Sequence, residues 1–368
     1  MPRKTTEEYL KDAEEIIRKK QAEILGLIRS VRSLERENDT ADAIRREIYG
    51  LSARSPEPPE WVLREGRAGS RGGPVTIWSD WHWGEVVSRD EVGGVNEFNS
   101  RVAKERAKRL VEITIDLCFN HMGRAKQKYP GIVVCLGGDM ITGDIHDELV
   151  ATNDRTPQQA INDLTDILAG SLQSMATAFG RVFVPAVVGN HGRGTLRPRM
   201  KHRVYTSHEW NIYCNLERHF KGSKHVQFFI PGETDAHFTI YGHRFLLTHG
   251  DSLGVKGGDG IIGALGPIMR GAVKVGRSET QIGRDFDTLL MGHWHQFMTP
   301  PGVVVNGSLI GYNEYARLKL RAQYERPTQA LFFVHPEHGR TAVWPIYLEP
   351  LAKQGTQREW LKWQTIGS

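Results

Sequence analysis

Val75-Thr76-Ile77-Trp78-Ser79-Asp80-Trp81-His82-Trp83-Gly84 begins as an apolar, β-branched run and ends in a carboxylate and an imidazole. Its first half has the composition of a buried strand, 75–79, and the change to Asp and His marks the loop that follows. The same transition recurs four times. Gly138-Asp139 follows an apolar run at 131–136, and Gly189-Asn190-His191 follows 181–188. His249-Gly250-Asp251 follows 244–248, and Gly292-His293-Trp294-His295 follows 288–291. In open α/β sheets the carboxyl ends of neighbouring strands lie along one crevice, so these five loops are expected to converge on one site.

Between the first three strands the periodicity changes to helical, at 99–126 and again from Thr156-Pro157, where Gln159 completes a capping box. Beyond 226 the pattern becomes closely spaced runs at 226–230, 237–241, 244–248, 288–291, 302–306, 329–335 and 341–347. The expected fold class is α/β: two packed mixed β-sheets flanked by helices, an αββα sandwich with an N-terminal helical arm. The later runs predict that the second sheet is mostly antiparallel.

Toward the N-terminus, residues 1–54 read as the arm. Thr5 and Glu8 form a capping box, and Leu10, Ile17, Ile24 and Val31 recur every seven residues, with Ala13, Leu27 and Leu34 three further on. Lys20 and Gly26 interrupt this seam. Two readings stand: a coiled-coil arm joining copies into a homo-oligomer, or a helix packed on its own domain. A second helix at 40–49 would complete a helical pair, without a DNA-recognition signature. The Pro-rich then Gly/Arg-rich stretch 55–74 reads as a linker, 75–350 as the catalytic domain and 351–368 as a tail.

Composition narrows the function classes. The 368 residues are 39% hydrophobic and 25% charged, with no apolar run near the roughly 18 residues of a membrane span. A soluble globular protein is expected, with no membrane partner. The first residues carry no apolar core of a secretory signal, so a cytoplasmic location is expected. Cys118, Cys135 and Cys214 are dispersed and odd in number, which argues against a disulfide framework or a thiolate zinc site. The net charge of +5 suits an anionic partner without selecting one.

A mixed set of Asp, His and Asn suits divalent Mn, Fe, Zn or Ni, and it offers more ligands than one ion needs. Two metals about 3.5–4 Å apart would account for the number and would suit in-line attack on phosphorus by a metal-held hydroxide. At this point the chain resembles the calcineurin-like metallophosphoesterase family, whose pattern is D-x-H-x-G, G-D, G-N-H, H and G-H-x-H in that order. Here it stands as Asp80-Trp81-His82-Trp83-Gly84, Gly138-Asp139, Gly189-Asn190-His191, His249 and Gly292-His293-Trp294-His295.

The resemblance implies metal-dependent hydrolysis of phosphate esters at two divalent cations, Mn²⁺ foremost. Asp80, His82, Asp139 and His295 would hold one ion. Asp139, as the bridge, would hold the other with Asn190, His249 and His293. His191 would touch the scissile phosphate and assist the leaving oxygen. Two departures stand out. Many members carry an acidic residue after G-N-H, where this chain has Gly192, so a carboxylate orienting His191 must come from elsewhere or be absent. Thr142 occupies the position of the tyrosine found in iron(III)-tyrosinate phosphatases, which argues against that branch.

The loop after His191 carries Arg193, Arg197, Arg199, Lys201 and Arg203, and the region after Asp251 adds Lys256, Arg270, Lys274, Arg277 and Arg284. A basic rim is expected to track a polyanion, with Arg193, Arg197 and Arg199 as substrate contacts and DNA as the partner. The alternative is Arg193 alone clamping a small phosphate. With the arm, the rim points to the SbcD-like DNA exonuclease branch. A phosphomonoesterase or nucleotide phosphatase is the rival reading, and a non-catalytic binding subunit, which loss of a ligand would mark, is the third. Trp81, Trp83 and Trp294 would stack a base or pack beneath the site. His146, beside Asp144 and Asp147, is expected just behind the ligands.

Overall fold

The computed structural model describes residues 20–21, 72–121, 129–254 and 263–349. The chain divides into two units, Met1–Arg67 and Ala68–Ser368. The expectations for the arm, beyond the helical Lys20 and Gln21, and for most of the linker and the tail lie outside the described residues. Those residues contain no helix long and apolar enough to cross a membrane.

The second unit is built on two sheets. The strands are β1 (Gly73–Trp78), β2 (Ile132–Leu136), β3 (Val182–Pro185), β4 (Val226–Phe229), β5 (Ala236–Ile240), β6 (His243–Leu247), β7 (Thr288–Met291), β8 (Val303–Val305), β9 (Thr328–His335) and β10 (Gly339–Tyr347). The helices are α1 (Ser100–Asp116), α2 (Asp147–Thr152), α3 (Pro157–Phe179), α4 (His208–His219) and α5 (Leu265–Gln281). One sheet runs β10-β9-β1-β2-β3-β4 and the other β5-β6-β7-β8. Strands β1 to β4 are mutually parallel, and β9 and β10 add antiparallel edges.

Side-chain alternation along the strands assembles three cores from these two sheets. Val75 and Ile77 of β1, Phe245 and Leu247 of β6, Leu290, Val304, Ala330 and Phe332 fill the space between the sheets. Leu289 and Met291, on the other face of β7, meet Ile268 of α5. Trp78, Val134 and Leu136 face outward from the first sheet onto α1, α3 and α4, through residues such as Leu110, Leu168 and Tyr213. Helix, sheet, sheet, helix is therefore the layer order, as the fold class anticipated.

The helix ends follow local chemistry. Asn99 caps α1 by accepting from the Val102 N–H, and Thr156 and Gln159 close the capping box of α3 ahead of Pro157. Helix α1 stops at Asp116, short of the expected 126, and passes into one wider turn at Leu117–His121.

The second sheet departs from expectation. Only β5 is antiparallel within it, while β6, β7 and β8 are parallel. Strand β4 joins the first sheet, parallel to β3, and β9 and β10 return to that sheet. The cause is two helices in the long segments between strand runs, at 208–219 and 265–281. Helix α4 buries Glu209 beside Ile212, Tyr213 and Leu216, and α5 carries Gly266, Pro267, Gly271 and Gly276. Each supplies a crossover long enough to let the strands it joins pair in parallel.

Candidate metal centre

The loops after β1, β2 and β3 leave neighbouring parallel strands of one sheet, and those after β6 and β7 leave neighbouring parallel strands of the other. Backbone bonds tie them together. Asp80 N–H donates to Gly138 O at 3.0 Å, His82 N–H to Asp139 O at 3.0 Å, and Gly292 N–H to His249 O at 2.9 Å. The sheets are joined at the site by the His293 N–H, which donates to Asp80 Oδ1 at 2.9 Å.

The backbone is strained where the candidate ligands sit. Nine non-glycine residues among those described have positive φ. Five of them are Asp80 (56°), His82 (47°), Asp139 (50°), His293 (68°) and His295 (53°). Each such residue costs about 1–3 kcal/mol, a cost that persists where the surroundings impose the geometry. Glycines permit the close approach. A Cβ on Gly189 would lie 2.1 Å from Asp139 Oδ1, and one on Gly292 would lie 2.3 Å from Asp80 Oδ2.

Two groups of ligand atoms result, Asp80 with His82 and His295, and Asp139 with His249 and His293, each with its atoms within 4.8 Å of one another. Asn190 joins the second, its Oδ1 lying 3.2 Å from His249 Nε2. The hydrogen-bond chemistry fits a cation. His249 Nδ1 lies 2.9 Å from Gly137 O, and a carbonyl only accepts, so Nδ1 carries the hydrogen and the neutral ring presents a lone pair at Nε2. That lone pair faces Asp139 Oδ2 at 3.0 Å and the Asn190 oxygen. Three electron-rich atoms so placed need a positive centre among them.

Without a cation that centre is a proton. Burial would lower His249, but Asp139, by charge and hydrogen bond, pushes it up to about 10. Likewise His82 Nε2 and His295 Nε2 face each other at 3.0 Å. Burial and the neighbouring imidazoles His191 and His295 hold His82 well below its ordinary value. Oxygen and nitrogen donors of this kind match divalent first-row metals.

No family model matches the sequence. No curated protein matches it either. Among solved structures, one from Staphylococcus aureus, described provisionally as a 5′-nucleotidase in complex with alpha-ketoglutarate, is 10% identical over 78% of this chain, with a TM-score of 0.34. The match covers 56% of that structure's chain. At this identity and TM-score no activity transfers to the present chain, whose site is read from its own atoms.

His191 donates its backbone N–H to Asp139 Oδ1 at 2.7 Å, and its ring lies 4.6 Å from that of His82. Its Nδ1 lies 3.1 Å from the Thr142 carbonyl, so a backbone oxygen, not a carboxylate, orients the ring. The His146 ring is 6.3 Å from His191, on the exposed side. Arg193 directs its guanidinium to the carbonyls of Asn190, Thr195 and Leu196, while Arg197 and Arg199 are exposed further along the loop. Arg203 pairs with Asp251 at 2.8 Å, fastening this loop to the one after β6. Trp81 and Trp83 are buried in the helix-side core, which settles their two readings in favour of packing.

Three supporting residues were not singled out from sequence. Glu85 Oε2 lies 3.4 Å from His82 Nδ1, and its carboxylate also accepts from Thr142 Oγ1 and Asn313 Nδ2. Gln329 Oε1 accepts from Ser79 N and Trp81 Nε1, on both sides of Asp80. Glu209 accepts from Met140 N and Gly189 N, and burial together with the Asp139 charge pushes its carboxyl up to about 8. For Glu85 the signal was proximity to the first motif. Glu209 and Gln329 lie far from the residues they serve and carried none.

Proposed function

We propose that this chain is a metal-dependent phosphoesterase that hydrolyses phosphodiesters in DNA. The observation that supports it most is the facing pair of Asp/His clusters, in which neutral imidazole nitrogens and carboxylate oxygens converge with nothing but a proton to reconcile them. Asp80, His82 and His295 would hold one divalent cation, and Asp139, Asn190, His249 and His293 the other, with Asp139 shared. Mn²⁺ is the first candidate, with Fe, Zn and Ni as alternatives. When bound, the cations supply charge against the phosphoryl oxygens and acidify a water.

The remaining chemistry belongs to the chain. Because His191 Nδ1 is committed to the Thr142 carbonyl, only Nε2 can face a phosphate, where it would help the leaving oxygen depart as general acid or hydrogen-bond donor. Asp139 fixes the main chain of His191 through the backbone N–H, so ligand and acid move as one unit. Arg197, Arg199 and Lys201, exposed on the loop beyond His191, suit a phosphodiester backbone and support DNA over a small monoester.

Metal-stripped protein with added Mn²⁺ would be incubated with labelled single- and double-stranded DNA, nucleoside monophosphates and an aryl phosphate monoester. DNA cleavage that Asp139→Ala abolishes and His191→Ala lowers by orders of magnitude is the expected result. Phosphate release from monoesters with DNA left intact would replace the nuclease reading with a phosphatase. No hydrolysis of any ester would refute the enzyme.

A further inference from the structure

The chain leaves the site at Gly192 and returns to it at Ser207. His208 N–H donates to Gly192 O at 2.7 Å and Gly194 N–H to Thr206 O at 2.9 Å, closing the intervening loop at its base. Ser207 caps α4 by accepting from Glu209 N–H, which places Glu209 in the first turn of that helix, fully buried. Its two carboxylate oxygens reach different loops: Oε1 accepts from Met140 N at 2.6 Å and Oε2 from Gly189 N at 2.6 Å. Met140 follows Asp139 in the chain and Gly189 precedes Asn190. One buried carboxyl group therefore spans the peptides beside two candidate ligands through two short hydrogen bonds.

Gly192 gives a second, independent observation. A Cβ built there would lie 2.5 Å from Glu209 Cγ, 2.7 Å from Glu209 Cδ and 3.0 Å from Ser207 Oγ. Its backbone is not in the left-handed region, so an L side chain is conformationally allowed and only space forbids it. The carboxylate of Glu209 occupies the volume that a side chain at position 192 would fill.

We propose that Glu209 is a positioning residue that fixes the separation of Asp139 and Asn190, and that position 192 is glycine because Glu209 has taken its place. This rests on the metal reading above. The carboxyl group acts through two peptide N–H groups. Removing such support behind ligands typically weakens metal binding by about 10–100-fold.

The test measures Mn²⁺ binding to metal-stripped protein by calorimetry, kcat and KM on a small aryl phosphodiester, and thermal midpoints without metal. Glu209→Gln keeps the shape and one acceptor, and is expected to bind Mn²⁺ about 10–100-fold more weakly and to lower kcat at least tenfold with KM within twofold. The double variant Gly192→Asp/Glu209→Ala returns a carboxylate to the same volume and is expected to recover Mn²⁺ affinity to within tenfold of wild type. Without metal, Gly192→Ala lowers the midpoint in the wild-type background and by clearly less in Glu209→Ala, where only the Ser207 contact remains. Wild type binding two Mn²⁺ with Glu209→Gln binding them equally well would overturn the positioning role alone. Gly192→Ala neutral in both backgrounds would overturn the shared-space claim. Wild type binding no divalent cation would overturn the metal reading, and the positioning role with it.

Discussion

Gln329 sits on β9, opposite the loop that carries Asp80, and its side chain is fully buried. Its Oε1 accepts from Ser79 N at 3.1 Å and Trp81 Nε1 at 3.3 Å, and its Nε2 donates among the carbonyls of Ser79, Gly307 and Thr328 at 3.0–3.3 Å. Gln329→Ala would strand two buried donors, at about 1–3 kcal/mol each, and leave a cavity besides. Because the Trp81 bond is long, the sum is taken as about 4 kcal/mol. For a unit of this size that is a fall of about 8 °C in Tm, at about 2 °C per kcal/mol. Gln329→Leu keeps the volume and strands the same donors, so it should retain most of the loss. Urea and thermal unfolding of both variants without metal provide the assay. Losses under about 1 kcal/mol in both would refute the claim that this amide holds the Asp80 loop.

Two further outcomes follow from the same geometry. His191→Ala should lower kcat by about 10²–10⁴-fold while metal analysis still finds two bound cations, because Asp139 is held by the backbone N–H at 191 and not by the ring. Burial pushes the Glu325 carboxyl up to about 7, against the pull of the Phe297 N–H. The folded protein therefore holds an extra proton between the ordinary 4.5 and about 7, and stability should fall as pH rises through that window. In Glu325→Gln, urea midpoints over the same range should lose that component of the slope; an unchanged slope would show that Glu325 does not titrate there.

The candidate ligands were legible because their chemistry is local. A strand ending in Asp-x-His or Gly-His-x-His reads the same in sequence as in space, and β1, β2, β3, β6 and β7 lie within a residue or a few of where the apolar runs place them. The strand directions of the second sheet were not legible because closely spaced apolar runs do not show which neighbours pair, and the crossover helices α4 and α5 make β4 and β7 parallel to theirs. Nor were Glu209 and Gln329. Their roles arise from contacts across 20 to 250 positions of chain, as in Glu209 to Gly189 and Gln329 to Ser79. Arg193 shows the converse: its type and place suggest a phosphate clamp, while its guanidinium is directed to three carbonyls of its own loop.

The most direct test is to titrate metal-stripped protein with Mn²⁺ and record the stoichiometry together with the electron paramagnetic resonance spectrum. Two Mn²⁺ per chain with an exchange-coupled signal, lost in Asp139→Asn, is the predicted result, because Asp139 is proposed to be shared between the two ions. A single bound ion, or two uncoupled ions indifferent to Asp139→Asn, would contradict a binuclear centre in this chain.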